Sequence, residues 1–210
     1  LHRKMGMTWD SQHRPEKSMQ AYDEAEGVLG LEPAEIDSAW QREWVAVQLV
    51  RMDAQYFRGE WREMMVLAER IRPVVERHGT PQQRSSLFSA LIGSNNTGDR
   101  FRVSEETVAY CRANLEAAEE SSSLVRMAGA RFGLGFNLLW HGEAEAAKER
   151  LQTGLELAVR VGDMLLQTRC LSYLAIACRV CCQVEEAEDY ALRSFGAAAA
   201  VENIDYMALA

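Results

Sequence analysis

The 210-residue chain is acidic, since 31 acidic against 23 basic side chains give a formal net charge of −8. Hydrophobic residues make up 48% of the sequence and charged residues 26%, a balance typical of a folded globular protein. The negative charge repels phosphate groups and anionic lipid headgroups, so we expect neither direct nucleic-acid binding nor membrane binding. No apolar run has the length of a signal-peptide core or a membrane span, so we expect a cytoplasmic protein.

The sequence predicts helices along almost the whole chain. Ala, Leu, Glu, Arg and Met dominate, whereas the alternation of β-branched and aromatic residues that marks strands is nearly absent. In chain order, the predicted breaks lie at Pro15, Gly30 with Pro33, Gly59, Gly79 with Pro81, Gly93 to Asp99, Ser121 to Ser123, Gly142, and Gly162-Asp163. We expect Pro33 and Pro81 in first helical turns, and positive φ angles at Gly59, Gly79, Gly142 and Gly162. The polar stretch 94–102 is predicted to be a surface loop.

Four predicted turns recur with a regular spacing. Their centres, Gly59, Gly98, Gly142 and Cys182, lie about 40 residues apart. Each turn follows one apolar helix and precedes another with an Ala- and Glu-rich face, which makes the repeating unit an antiparallel helix pair. Such a pair buries its apolar stripe only by stacking on its neighbours. We therefore predict an all-α fold of about five helix pairs, forming a single helical-repeat domain over residues 1–210.

Two consecutive units carry a defined pattern of large and small residues. The first has Leu134-Gly135, Leu138, Gly142, Ala147 and Leu151, and the second has Leu171, Leu174-Ala175, Cys178, Ala187 and Ala191. The small residues allow paired helices to approach to about 8–10 Å. This pattern resembles the tetratricopeptide repeat, and the resemblance implies a right-handed superhelix.

Other stretches resemble a more specific family. Residues 76–81, 132–142 and Val161-Gly162-Asp163 are similar to the C-terminal helical-repeat arm of bacterial signal-transduction ATPases with numerous domains. The resemblance implies a nucleotide-binding core and a cyclase or DNA-binding domain elsewhere in the protein, and it supplies no catalytic residue here. Because the chain starts at Leu1 and ends in mid-pattern at Ala210, we expect it to be part of a longer multidomain protein.

The residues that could carry chemistry form no catalytic pattern. Cys178, Cys181 and Cys182 lie on one helical face and could offer three metal ligands. A structural zinc site needs four ligands and no histidine lies nearby, so core packing is the favoured interpretation. The four histidines have no metal-binding spacing, and the glycines near Gly133 lack the strand and the lysine of a phosphate loop. We expect no metal, no cofactor and no enzymatic activity.

The aromatic residues give the one candidate binding site. Phe132, Phe136 and Trp140 recur every four residues and form a stripe, most of which is expected in the core. In tetratricopeptide repeats the first helices line the concave face. Along that line we expect Phe132, Phe136, Leu139, Arg169, Ser172, Ile176 and Arg179. Aromatic walls with two guanidinium groups suit an acidic or amphipathic peptide.

The leading functional hypothesis is a non-catalytic interaction and regulatory scaffold. Its partner would be a protein, a peptide segment or a neighbouring domain of the same chain. One alternative is self-association through exposed terminal repeats, which would give a homo-oligomer. Another is a small-molecule sensor that uses the concave groove.

Overall fold

The computed structural model describes residues 1–30, 38–200 and 206–207, and within them it contains ten principal α-helices and no β-strand. The helices are α1 (His2–Ser11), α2 (Pro15–Leu29), α3 (Ser38–Phe57), α4 (Trp61–His78), α5 (Pro81–Gly98), α6 (Glu105–Glu120), α7 (Leu124–His141), α8 (Ala144–Val161), α9 (Met164–Val180) and α10 (Val184–Ala200). None of these described helices is long and apolar enough to cross a membrane.

The helices fall into two compact units. Helices α1 to α5 belong to the first unit, Leu1–Arg100, and helices α6 to α10 belong to the second unit, Phe101–Ala210. Within each unit, helices that follow one another in the chain pack together, and alternate helices also meet, as α3 does with α5 and α7 with α9. This arrangement confirms the predicted all-α repeat of helix pairs.

Glycines end several helices as the sequence indicates. Gly59, Gly142 and Gly162 have φ angles of 74°, 102° and 73°, in the left-handed region where glycine has no steric penalty. The prediction of positive φ is wrong for Gly79, whose φ of −67° belongs to extended backbone. There the chain turns directly into α5, because the next residue, Thr80, is already the cap of that helix.

Helix α5 begins with a complete capping box. The hydroxyl oxygen of Thr80 accepts a hydrogen bond from the Gln83 backbone N–H at 3.2 Å, and the Gln83 amide oxygen accepts from the Thr80 N–H at 2.9 Å. Pro81 occupies the first turn, as predicted. The corresponding expectation for Pro33 lies outside the described residues.

The predicted surface loop at 94–102 is wrong in its first half. Helix α5 continues through it, and the hydroxyl group of the buried Ser94 donates a hydrogen bond to the Trp61 carbonyl at 3.1 Å. A small polar side chain with a backbone partner can therefore lie in this core, which its polarity alone does not indicate. The chain leaves the helix only near Arg100 and Phe101, both with positive φ.

Close backbone contact joins α7 and α8 in the second unit. A Cβ atom placed on Gly135 would lie 2.7 Å from Leu151 Cγ and 3.1 Å from the Ala147 carbonyl oxygen. Ala147 and Leu151 are fully buried. Gly135 is therefore required by the packing distance between these helices.

The first unit has a polar cluster beside its core. The buried Glu26 carboxylate pairs with the guanidinium groups of Arg51 and Arg70, the latter at 2.9 Å. Arg70 also lies over the ring of Trp44, 5.2 Å from its centroid, and the fully buried Trp44 donates its indole N–H to the Gly30 carbonyl at 3.1 Å. Paired charges and aromatic stacking thus connect α2, α3 and α4.

Candidate partner-binding site

Five aromatic side chains of the second unit form a continuous cluster, which we call the aromatic cluster. It consists of Phe101, Phe132, Phe136, Trp140 and Tyr173. Phe136 lies at its centre, with ring centroids 4.8 Å from Tyr173, 6.1 Å from Phe101 and 6.2 Å from Trp140. These three contacts are edge-to-face, the arrangement that the ring quadrupole favours. The repeat explains the cluster, since α7 and α9 are equivalent helices of successive pairs.

The aromatic cluster runs from the core to the surface. Phe132 is 5% exposed, Phe136 and Tyr173 are half-buried, and Trp140 and Phe101 are 48% and 55% exposed. Rings at one end are fixed by packing, while those at the other end present apolar area to solvent. Rigid aromatic side chains of this kind bury a large area at a low entropic cost when a partner covers them.

The guanidinium group of Arg169 lies against the aromatic cluster. The Arg169 guanidinium carbon is 4.2 Å from the centroid of Phe132, a favourable cation–π distance. Its Nε is buried without a hydrogen-bond partner, and the described part of the chain places no carboxylate within ion-pair distance of it. Burial raises the pKa of Tyr173, and the positive charge of Arg169 opposes that rise. Among the described residues, Arg169 is therefore a positioned cation with no acid within ion-pair distance.

The other predicted groove residues separate into two groups. Leu139 is 7% exposed and Ser172 is 1% exposed, so both are packing residues. The Ser172 hydroxyl contacts the Ser194 hydroxyl at 2.6 Å and donates to the Thr168 carbonyl at 3.0 Å, which places it between α9 and α10. A partner on the surface cannot reach it.

Ile176 and Arg179 lie further along α9. Ile176 is half-buried, whereas Arg179 is exposed in the last turn of the helix. Ten residues separate Arg179 from Arg169, which corresponds to about 15 Å along the axis and about 80° around it. The structure brings Phe132, Phe136 and Arg169 together, but the two guanidinium groups do not form one clamp.

Tyr173 and Phe101 are members of the cluster that the sequence patterns did not single out. Tyr173 follows Arg169 by four residues, and this spacing, together with the repeat period from Phe132, could have placed it on the same face. Phe101 gave no such signal. It follows α5 with a left-handed backbone, and only the fold directs its ring onto Phe136.

The three clustered cysteines differ in their surroundings. Cys178 is buried, Cys181 is partly buried and Cys182 is exposed with a positive φ angle. Within the described residues, no group of His, Cys, Asp and Glu side chains could hold a metal ion. Burial and the neighbouring Glu186 carboxylate, whose oxygen is 3.8 Å from Sγ, raise the pKa of Cys178 to about 11. Its thiol is therefore protonated at neutral pH, which is consistent with a role in packing.

No family model matches the sequence, and no curated protein matches it either. Solved structures do match the fold. A signal-transduction ATPase with numerous domains from Pyrococcus horikoshii, which has a tetratricopeptide-repeat sensor, is 15% identical with a TM-score of 0.77. The similarity covers 99% of this chain and 31% of that protein, so the chain spans less than a third of its length.

Two Rap proteins give comparable matches. The apo form of RapI is 17% identical, with a TM-score of 0.80 over 99% of this chain and 72% of its own. A Rap protein complexed with competence and sporulation factor is 15% identical, with a TM-score of 0.67 over 98% of this chain and 55% of its own. At these identities the likeness establishes the fold, which is of the tetratricopeptide type, and confirms the resemblance seen in the sequence.

Proposed function

We propose that this chain is a regulatory interaction scaffold that binds an acidic, amphipathic peptide segment through the aromatic cluster and Arg169. The observation that carries the proposal is the guanidinium group of Arg169, which is held over Phe132 without a carboxylate partner in the described chain. A carboxylate of the partner would pair with this cation, and apolar side chains of the partner would cover Trp140 and Phe101.

The arrangement of the site supports a partner with these two features. Phe136 and Tyr173 are fixed against each other, so the surface is largely formed before binding and little side-chain entropy is lost. Adjacent first helices of a repeat array offer a ridged surface along which an extended or helical segment can lie. The Rap protein solved in complex with competence and sporulation factor has the same fold, which supports the binding of a partner by an array of this kind.

We further propose that the chain is a non-catalytic arm of a larger bacterial signalling ATPase or transcriptional regulator. Its likeness to a repeat-containing signal-transduction ATPase, of which it covers 31%, supports this context. The partner segment then belongs either to a separate protein or to a neighbouring domain of the same chain. Binding would bias the conformation of the attached domains through its differential affinity for their states.

The proposal is tested with fluorescence anisotropy and a labelled peptide. The probe is an amphipathic peptide with Glu on one helical face and Leu and Phe on the other. Its control carries Gln in place of every Glu. We expect the probe to bind and the Gln peptide to bind at least about tenfold more weakly, because a charge-assisted bond to Arg169 is lost. Equal affinities for the two peptides would contradict the assigned role of Arg169, and failure of both to bind would contradict the site.

Exposed apolar residues on α10 favour self-association as a second candidate function. Leu192 and Phe195 are three residues apart on one helical face and are 68% and 52% exposed. A further helix or a second copy of the chain could cover this face. Light scattering over a range of concentrations distinguishes the two functions, since a constant monomeric mass excludes self-association.

A further inference from the structure

A cavity of about 680 Å³ lies in the first unit, among the end of α1, the α1–α2 turn, α2 and the end of α3. Its apolar walls are formed by Met7, Pro15, Tyr22, Val50, Ala54 and Phe57. The volume is within the range of about 300–1,000 Å³ that is usual for small-molecule sites. Phe57 stands at the mouth and is 86% exposed, whereas Tyr22 at the base is fully buried. The cavity thus combines a rigid apolar floor with an open rim.

Two carboxylates lie beside this apolar surface. The buried Tyr22 hydroxyl donates a short hydrogen bond to the Asp10 carboxylate on α1, and Asp53 lines the cavity from α3. Burial raises the pKa of Tyr22, and the charges of both Asp10 and Asp53 raise it further. Both acids are therefore close enough to the hydroxyl group to act on it, and the positive charge of Arg3 acts in the opposite direction.

The basic residues on the rim are directed towards other groups. The Arg14 guanidinium lies over the ring of Trp9, 5.7 Å from its centroid, and Arg58 pairs with Glu60 at 2.7 Å. Asp10 and Asp53 are the two carboxylates among the cavity residues, and they are the groups that would receive a cationic head group.

We propose that this cavity binds a small amphipathic cation, with an aromatic or aliphatic body against Tyr22, Val50 and Phe57 and an amine directed at Asp10 and Asp53. Apolar contact would supply most of the affinity and the carboxylates would select the head group. This site lies in the first unit and involves none of the residues assigned to peptide binding.

Isothermal titration calorimetry of the full chain at about pH 8 tests this assignment with three matched probes. Naphthylethylamine, naphthylethanol and naphthylacetate share an apolar body and differ in the charge of the head group. We expect the amine to bind about tenfold more tightly than the alcohol, and the carboxylate to bind most weakly. No binding of the amine, or equal binding of the amine and the carboxylate, would overturn the proposal.

Two variants of exposed cavity residues locate the bound probe. Phe57→Ser removes an apolar wall and Asp53→Asn removes one charge, and neither side chain is part of the buried core. We expect each variant to weaken amine binding by about fivefold to tenfold, with Asp53→Asn reducing the preference for the amine over the alcohol. The matched controls Val28→Ser and Glu76→Gln change exposed residues of the same unit outside the cavity. If variants and controls bind the amine alike, the cavity is not its site.

Discussion

The two units of this protein stabilise the same kind of helix packing with different chemistry. In the second unit, α7 and α8 approach closely because Gly135 faces Ala147 and Leu151. In the first unit, α2, α3 and α4 are connected by large side chains and by the paired charges around Glu26. The first unit also has a close approach of Gly6 to Tyr22, so its paired charges add to small-residue contacts and do not replace them.

The largest effect that tests this comparison is expected from Glu26→Gln. The change removes the carboxylate that Arg51 and Arg70 share, and Arg51 keeps a second partner in the more exposed Asp23, at 3.1 Å. Because both guanidinium groups are partly exposed, we expect a loss of about 3 kcal/mol in unfolding free energy, the lower end of the range for a broken buried pair. Chemical denaturation, monitored by circular dichroism, measures this loss of unfolding free energy. The control Glu24→Gln removes a more exposed carboxylate, paired with His2, and should cost at most about 1 kcal/mol. Equal effects of the two variants would show that the cluster does not stabilise the first unit.

Gly135→Ala is expected to have the next largest effect. The added methyl group would lie 2.7 Å from Leu151 Cγ, and overpacking of this kind costs about 1–3 kcal/mol. Gly129→Ala, on the same helix, adds a methyl group with nothing within 4 Å and should stabilise the helix by about 0.5–1 kcal/mol. Denaturant midpoints, together with hydrogen exchange in peptides from α7 and α8, measure these opposite changes in stability. The same sign in both variants would contradict the close approach.

An alkaline titration should also separate the two units. Burial raises the pKa of Cys111 and of Cys170 to about 12, both in the second unit. A raised folded-state pKa means that this stability is complete below the unfolded thiol pKa of about 9 and is lost as pH rises towards 12, by about 1.4 kcal/mol per pH unit for each thiol. In the first unit, the corresponding loss from Tyr22 begins only above about pH 10.

Hydrogen exchange as a function of pH, corrected for the intrinsic rate, measures this difference between the units. Peptides from α6 and α9 should lose protection from about pH 9, before peptides from α2. The variant with Ser in place of both Cys111 and Cys170 should no longer show the early loss. An earlier loss in α2 would contradict the assignment.

Gln48→Met should give the smallest effect, with the opposite sign. Gln48 is fully buried in α3, and neither atom of its amide has a hydrogen-bond partner in the described structure. Methionine keeps the shape of the side chain and removes the unpaired polar group. We therefore expect the free energy of unfolding, measured by chemical denaturation, to rise by about 1 kcal/mol. A destabilised variant would indicate that the amide contributes a bond that the first unit needs.

The sequence predicts the second unit better than the first, for a physical reason. Close helix contact requires small residues at fixed spacing, so positions such as Gly135 and Ala147 mark the helix pairs in the sequence itself. The pairing of Glu26 with Arg51 and Arg70 depends on side chains that come from three helices, and no local pattern reveals it. The sequence does not reveal that α5 continues through Ser94 for the same reason, because this buried hydroxyl group depends on the Trp61 carbonyl of another helix for its hydrogen bond.

The candidate site was predictable only in part. The period of four along α7 placed Phe132, Phe136 and Trp140 on one stripe, and the structure shows these rings in contact. The periodicity of the sequence does not give the rotation of α9 about its axis accurately enough to distinguish Ser172 from Arg169. Ser172 faces α10, whereas Arg169 faces Phe132. Contacts made by residues outside regular helices, such as Phe101, cannot be read from periodicity at all.

The central claim is that Arg169 is the cation that selects the partner, and a charge reversal tests it most directly. Arg169→Glu should weaken binding of the labelled acidic peptide by at least about tenfold, because the attraction between the peptide and residue 169 becomes repulsion beside the same aromatic surface. Arg160→Glu makes the same charge change on the exposed face of α8, outside the aromatic cluster, and should change the affinity by less than about twofold. Anisotropy titrations at matched ionic strength, with circular dichroism to verify folding, measure both. Equal affinity of the two folded variants for the peptide would contradict the proposed function.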